Sequence, residues 1–207
     1  MKFEKDTLEV KVIGVYSSTH PNPDYKGNDY FVTKPKDQLS FTLEGIEGDR
    51  HFGYETVSGG RFTTLYDRGT RVRNNRQWSA ISPQEVKEIA KNLGVDSRLT
   101  PELLGINLLL DGVEKLSELP PMSYLVFSPH NNFQPRRQED VTLVVYGQAL
   151  PCTIAGKALV EPLGDETLER KFPKAALGYR GTTGWVERGG IIRPEYNGWV
   201  LTPKGID

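Results

Sequence analysis

Cys152 is the only cysteine among the 207 residues of the chain. It ends the segment GQALPC, directly after Pro151 and after an apolar run that is typical of a strand. One thiol cannot form an internal disulfide, a Cys-x-x-Cys redox pair or a multi-cysteine zinc or iron–sulfur site. The chemistry open to it is that of a single thiolate, as a nucleophile, a sulfur carrier or a ligand to a soft metal. The alternative is a buried small hydrophobic side chain, which is the commonest fate of a lone cysteine.

Basic side chains are concentrated in one short region. Its four arginines lie within nine positions: Arg68, Arg71, Arg73 and Arg76. Guanidinium groups this close together repel each other unless anions neutralise them, so the cluster favours an anionic ligand such as a phosphate. A solvated loop face is the alternative for any one of these arginines.

A second polar segment runs from Gly48 through Asp49 and Arg50 to His51. Arg50 and His51 can donate hydrogen bonds to a phosphate, and His51 can act as an acid or base near neutral pH. The alternative is a tight turn in which Asp49 accepts hydrogen bonds from backbone amides and Arg50 forms a surface ion pair. The other two histidines stand in Pro- and Asn-rich segments, are expected to be exposed, and do not predict a first-row metal site.

Two further segments contain candidate binding residues. Asn107 can offer both a donor and an acceptor to the edge of a heterocycle. Arg180 precedes Gly181 and Gly184, which would let backbone amides approach an anion closely. A plain hairpin with Trp185 in the core is an equally good interpretation of this region.

Composition excludes several classes of partner. The formal net charge of −1 gives no overall attraction for nucleic acid or for an anionic membrane. The N-terminal segment MKFEKDTLEV is charged and lacks the apolar centre of a signal peptide, and the longest apolar runs are too short to span a bilayer. We therefore expect a cytoplasmic protein whose thiol stays reduced.

The elements that must position these residues are mostly strands. Alternating or β-rich runs predict strands at 9–17, 40–46, 107–110, 123–128, 141–147, 182–188 and 197–202, with a long loop over about 18–39. One helix is predicted over 82–94, with Ser82 as N-cap, Pro83 in the first turn, Glu85 completing a capping box and Gly94 at the end. A helical turn is expected at Thr100-Pro101.

Another helix is expected from Asp165, with Leu168 and Phe172 facing inward and Pro173 ending it. Many short strands, few helices and no β–α alternation predict a mainly β fold, a closed or nearly closed barrel with a few short helices. We expect one domain over 1–207, with its core at about 8–196.

Five segments, in this order and spacing, resemble one known family. They are GIEGDRHFG at 45–53, NRQWSAIS at 75–82, LLGINLLLDG at 103–112, GQALPC at 147–152 and RGTTGWVERGGIIRP at 180–194. They are similar to the small stand-alone bacterial members of the MOSC family, the domain named after the C-terminal part of molybdenum cofactor sulfurases. The resemblance implies a β-barrel decorated by helices. It also implies that Cys152 holds a persulfide sulfur or ligates molybdenum. Many family members have Glu where this chain has Ile106.

Three functions remain open from the sequence. The first is binding of molybdenum cofactor (molybdopterin) or a related anionic, sulfur-bearing ligand. Cys152 would then be the metal ligand or reactive thiol, with His51 beside it and the ligand held by Arg50, Arg71, Arg73, Arg76, Asn107 and Arg180. Because the chain has no flavin, haem or iron–sulfur motif, any redox reaction would need an electron-transfer partner.

The second function is a persulfide carrier for metal–sulfur centre assembly that receives sulfur from a cysteine desulfurase. The third is a non-catalytic β-barrel binding module. For either of the first two, Cys152 should lie near Arg50 or His51 and near at least one of Arg71, Arg73 and Arg76, around one concavity.

Overall fold

The computed structural model describes residues 7–18, 31–59, 65–131 and 138–203. Seven strands close into a barrel, with each strand hydrogen-bonded to the next and the last to the first. In the order around the barrel they are β13 (Asn197–Leu201), β9 (Tyr124–Ser128), β10 (Val141–Gln148), β11 (Thr182–Arg188), β7 (Trp78–Ile81), β8 (Leu108–Asp111) and β1 (Leu8–Ser18). The predicted mainly β fold with a closed barrel is confirmed.

One neighbouring pair in the ring, β7 and β8, is parallel, and the other six pairs are antiparallel. Strand directions cannot alternate all the way round a ring of seven, so one parallel pair is the minimum. Parallel neighbours need a long crossover connection. Here it is the segment between Ile81 and Leu108, which contains the first helix.

Six further strands among the described residues lie outside the ring. β2 (Thr33–Pro35) pairs with β1. A separate small sheet consists of β12 (Gly190–Ile192), β3 (Leu39–Thr42) and β4 (Gly45–Ile46). A two-stranded ribbon consists of β5 (Glu55–Val57) and β6 (Arg71–Arg73). The predicted strand 40–46 is therefore two strands, and the predicted loop 18–39 contains β2. Residues 19–30 of that loop, with His20, lie outside the described residues.

Apolar side chains form two separate clusters. The first fills the barrel and includes Trp78, Leu110, Phe127 and Leu143, each at most 1% exposed. The second lies between the barrel and the helices and includes Phe172. The barrel ring is therefore packed on its inside by one cluster and partly covered on its outside by the other.

Helix α1 (Pro83–Leu93) forms as its sequence predicts. The Ser82 hydroxyl accepts from the backbone N–H of Glu85 at 3.1 Å, and the Glu85 carboxylate accepts from the N–H of Ser82 at 3.0 Å. Gly94 ends the helix with φ 70°, a left-handed conformation that costs glycine nothing. All the hydrogen bonds that define these ends are local, which is why the sequence alone predicts them.

The other two helices differ from expectation. Helix α2 (Thr153–Leu163) begins directly after Cys152 and was not predicted. It contains Gly156 and Pro162, which lower helix propensity. Gly156 is needed because α2 packs closely on the next helix: a Cβ there would lie 2.7 Å from the carbonyl oxygen of Glu169.

That next helix, α3 (Leu168–Ala175), buries Leu168 and Phe172 as predicted but continues past Pro173. The predicted turn after Thr100 is present as hydrogen-bonded turns and not as a helix.

Glu85 should make stability depend on pH. Burial raises the pKa of its carboxyl above the ordinary 4.5, although hydrogen bonds from Ser117 and Ser82 oppose the shift. Between 4.5 and the raised pKa, the folded chain keeps a proton that the unfolded chain has lost, so the free energy of unfolding falls as pH rises. Glu85→Gln cannot titrate, and its stability relative to the wild type should therefore improve with rising pH. Urea unfolding of both proteins from pH 4 to 8 measures this, and a pH-independent difference would contradict it.

No helix in the described ranges is long and apolar enough to cross a membrane.

Candidate functional site

Segments that adjoin three neighbouring barrel strands, β10, β11 and β7, line a concavity of about 150 Å³. Arg76 stands two residues before β7, Arg180 two residues before β11, and Cys152 four residues after β10. All three line the concavity together with Arg50 and His51. Five of the eight residues predicted for the site therefore meet in one place. Their chemical roles remain predictions.

Arg50 is held in place by its own chain. It is 9% exposed, and its Nη1 donates to the carbonyl oxygen of Phe31 at 2.6 Å. Its guanidinium lies 4.5 Å from the centre of the Phe31 ring, and its Nε donates to His51 Nε2 at 3.2 Å. His51 Nε2 therefore accepts a hydrogen bond, which assigns the ring proton to Nδ1. Arg50 therefore places a buried cation at the concavity.

The Leu104-Gly105 segment fixes two of the cations. The carbonyl oxygen of Leu104 accepts from Arg180 Nη2, and that of Gly105 accepts from Arg50 Nη2 at 3.4 Å. Gly105 has φ 64°, and a Cβ on it would lie 2.3 Å from the Phe31 carbonyl oxygen. Only glycine fits between Phe31 and this turn. The Leu104-Gly105 segment therefore positions two arginines through its carbonyl oxygens, and it does not itself line the concavity.

Asp49 and Asn107 form a buried polar network behind the site. The Asn107 side-chain oxygen accepts from the N–H and hydroxyl of Ser79, both at 3.0 Å. Its amide nitrogen donates to the Tyr16 carbonyl oxygen at 3.2 Å and to Asp49 Oδ2 at 3.0 Å. The other Asp49 oxygen accepts from the His51 N–H at 3.0 Å.

The expected backbone capping by Asp49 is therefore found. Asn107, which was expected to contact a ligand, is 2% exposed and does not line the concavity. Both of its amide protons and its oxygen are already used within the protein, so a direct ligand contact would require breaking the network.

Arg76 has spare hydrogen-bonding capacity. Its backbone N–H donates to the side chain of Asn74 at 3.0 Å, and the Asn74 amide is held by the carbonyl oxygens of His51 and Gly53. The buried Arg76 Nε has no hydrogen-bond partner among the described residues. A buried donor without a partner is costly, so a bound acceptor in the concavity would be stabilised by Arg76.

Arg71 and Arg73 are not part of the concavity. They lie on the exposed β5–β6 ribbon, where Arg71 pairs with Glu55 at 2.6 Å and Arg73 stacks 4.8 Å from the Trp185 ring centre. Arg68 is also exposed. Their closeness in sequence to Arg76 predicted one cluster of arginines. In the structure, the β5–β6 ribbon places Arg71 beside Glu55 and Arg73 beside Trp185 instead.

Cys152 is the N-cap residue of α2 and is neither sealed in the core nor fully exposed. Its side chain makes no capping hydrogen bond. The residue lines the concavity and also packs against the second apolar cluster. The first N–H groups of a helix lack partners within the helix and carry partial positive charge. Together with the arginines they favour a negatively charged group beside the sulfur. Helix α2 could have been predicted from the sequence. Ala155, Leu159 and Leu163 recur at helical spacing, and Gly164 follows them as the C-cap.

Among the described residues, no three His, Cys, Asp or Glu side chains cluster as they would around a metal ion. The donor set around the concavity is instead one thiol, one imidazole and three guanidinium groups. That set suits an anion whose reactive part is sulfur or a sulfur-loving metal.

Comparison with known proteins identifies the family. The model of the MOSC domain matches residues 48–196, which span most of the chain and contain all eight predicted site residues. The chain belongs to the MOSC family. This MOSC domain is 36% identical over 163 residues to YuaD of Bacillus subtilis (strain 168), a match that covers 78% of this chain and 79% of YuaD. The name of YuaD provisionally places that protein among metal-sulfur cluster biosynthesis proteins.

Solved structures agree with the barrel described above. The crystal structure of YuaD from Bacillus subtilis superposes with a TM-score of 0.82 at 30% identity, covering 98% of this chain and all of YuaD. YiiM from Escherichia coli has a TM-score of 0.54 at 15% identity, covering 98% of this chain and 72% of YiiM. The likeness to YiiM shows the fold alone.

Ile106 is the position where this MOSC domain departs from many members of its family. Its side chain is completely buried against the helices, and its carbonyl oxygen accepts from the Thr33 hydroxyl at 3.0 Å. Its apolar side chain contributes to the packing of the second apolar cluster. It contributes no polar group to a ligand.

Proposed function

We propose that this protein carries sulfur for the assembly of a metal–sulfur centre, with Cys152 as the residue that holds the sulfur as a persulfide. The observation that supports this most is the placement of a single uncapped thiol, at a helix N-terminus, in a concavity whose other charged groups are cations. A persulfide is anionic and small. Arg76 Nε, buried and without a partner among the described residues, can donate to it.

The size of the concavity favours a small ligand. Pockets that enclose a drug-sized molecule measure roughly 300–1,000 Å³, whereas this one measures about 150 Å³. It encloses a persulfide sulfur or the end of a larger ligand. The name of YuaD points in the same direction, because it refers to metal-sulfur clusters and not to a pterin.

Molybdenum cofactor is the second candidate, and the donor set fits its metal–sulfur end. The Cys152 sulfur could ligate molybdenum, which favours soft donors, while Arg50, Arg76 and Arg180 could hold anionic oxygens of the cofactor. When bound, the cofactor would supply a redox-active metal. The protein residues would orient it and neutralise its negative charge. The cations around the thiol favour this candidate as well, but the enclosed volume favours the first.

Arg76 should be needed for sulfur loading, and Arg71 should not. Arg76→Gln is expected to lower the rate of persulfide formation on Cys152 by at least about ten-fold, since a hydrogen bond to a charged group contributes roughly 1.5–3 kcal/mol. Arg71→Gln removes an equal charge from the exposed ribbon and should leave the rate unchanged. The readout is mass spectrometry of Cys152 after incubation with glutathione persulfide, together with metal analysis of the freshly purified protein.

Equal rates for the two variants would contradict the assignment of Arg76 to the site. Wild-type protein that acquires no persulfide would contradict the proposed function. Molybdenum bound in stoichiometric amounts, and lost with Arg76→Gln, would favour the second candidate instead.

A further inference from the structure

One aromatic ring is shared by two of the arginines at the concavity. The guanidinium carbon of Arg50 lies over the Phe31 ring, 4.5 Å from its centre, and that of Arg180 lies over the same ring at 5.7 Å. Phe31 itself lines the concavity. The sequence did not predict Phe31 for the site, because it falls in the segment 18–39, whose composition is typical of a loop.

The electrostatics of this arrangement give the ring a specific role. Arg50 and Arg180 are both buried, so water and salt screen their mutual repulsion only weakly. An aromatic face carries partial negative charge and attracts a cation within about 6 Å of its centre, most strongly where water is excluded. The Phe31 ring therefore offsets a repulsion that an aliphatic side chain of similar size would leave in place.

The backbone around Phe31 holds the same two side chains. The Phe31 carbonyl oxygen accepts from Arg50 Nη1 at 2.6 Å, and the next turn supplies the Leu104 carbonyl oxygen to Arg180. The ring rests directly on Gly105, where a Cβ would lie 3.0 Å from the ring carbon Cδ1. The ring and these carbonyl oxygens therefore fix two cations before any ligand arrives, which reduces the entropic cost of binding one.

We propose that Phe31 is a positioning residue of the anion site, whose ring keeps Arg50 and Arg180 together at the concavity so that one anion meets both charges. This inference rests on the proposed function, since both place an anionic group beside Cys152. Phe31 acts on that group through the two arginines. Without the ring, the guanidinium groups repel each other more strongly and the concavity holds an anion less tightly.

Inorganic sulfate is the probe that tests this role, because its fully oxidised sulfur cannot load Cys152. Sulfate in the concavity should shield Cys152 from iodoacetamide, and mass spectrometry of the alkylated protein gives the sulfate concentration for half protection. Phe31→Leu keeps an apolar side chain and the backbone carbonyl but removes the aromatic face. It should raise that concentration roughly ten-fold, because cation–π attraction is strongest at buried sites.

Three further variants separate the aromatic face from packing. Phe31→Tyr retains the face and should stay within about two-fold of the wild type. Phe31→Met is a second variant without a ring and should bind sulfate as weakly as Phe31→Leu. Trp185→Leu is the matched control, because the Trp185 ring carries Arg73 at 4.8 Å outside the concavity. It should leave the protection by sulfate unchanged.

The alkylation rate without sulfate distinguishes positioning from a structural role. It should be equal in all the variants, since the ring acts on the bound anion and not on the thiol. Half protection of Phe31→Leu and Phe31→Met at the wild-type sulfate concentration would overturn the inference. Weak binding by Phe31→Tyr would also overturn it, because packing and not the aromatic face would then hold the arginines.

The same experiment keeps this inference distinct from the proposed function. If sulfate failed to protect the wild-type protein, the concavity would not be an anion site and the role of Phe31 would be refuted. Loading of Cys152 by glutathione persulfide would then decide the sulfur-carrier function separately. If sulfate protects the wild type but glutathione persulfide does not load it, the anion site and Phe31 stand and the sulfur-carrier function falls.

Discussion

Cys152→Ser is expected to abolish sulfur loading completely and to leave the fold intact. Serine nearly preserves the volume of cysteine but can neither form a persulfide nor ligate a soft metal. Because Cys152 is only partly buried and makes no capping hydrogen bond, its replacement should cost less than about 0.5 kcal/mol. For a chain of this length that corresponds to a shift in Tm of less than about 2 °C.

The measurement is persulfide mass spectrometry and molybdenum analysis beside a thermal melt. Thr153→Ala, at the exposed neighbouring position, is the control and should load as the wild type does. Sulfur or molybdenum retained by Cys152→Ser at normal thermal stability would show that the chemistry lies elsewhere in the chain. A variant that fails to fold would show that Cys152 is a structural residue.

Asn107→Leu is expected to destabilise the protein by about 3–5 kcal/mol. Leucine is similar in volume but leaves the Asp49 carboxylate, the Tyr16 carbonyl oxygen and the Ser79 N–H and hydroxyl without the partner they have now. Each buried polar group left unsatisfied costs roughly 1–3 kcal/mol, and more when it is charged.

Chemical denaturation of the purified variants measures this cost. Asn92→Leu is the matched control, because Asn92 lies on the exposed side of α1 and its side chain makes one hydrogen bond, to Ala175. It should cost no more than about 1 kcal/mol. If Asn107→Leu folded with wild-type stability and lost only sulfur loading, Asn107 would be a ligand contact, as its amide chemistry first indicated.

The sequence by itself determined the features whose interactions are local. The capping box of α1 joins residues three apart, and the alternation of apolar and polar side chains marks β1. The residue types also predicted Cys152, Arg50 and Arg76 as site residues, and all three line the concavity. Strand β7, Trp78–Ile81, was missed because it is buried on both faces and shows no alternation.

Only the tertiary structure decided which of these groups meet. Arg180 and Leu104 are 76 residues apart in sequence, and Asn107 and Tyr16 are 91 apart, yet each pair is joined by a hydrogen bond once the barrel closes. Closure brings Arg76 to the concavity and leaves Arg71 on an exposed ribbon. The physical reason is that chemical type is a property of a residue, whereas its partners are set by strand order and by the turns that end each strand.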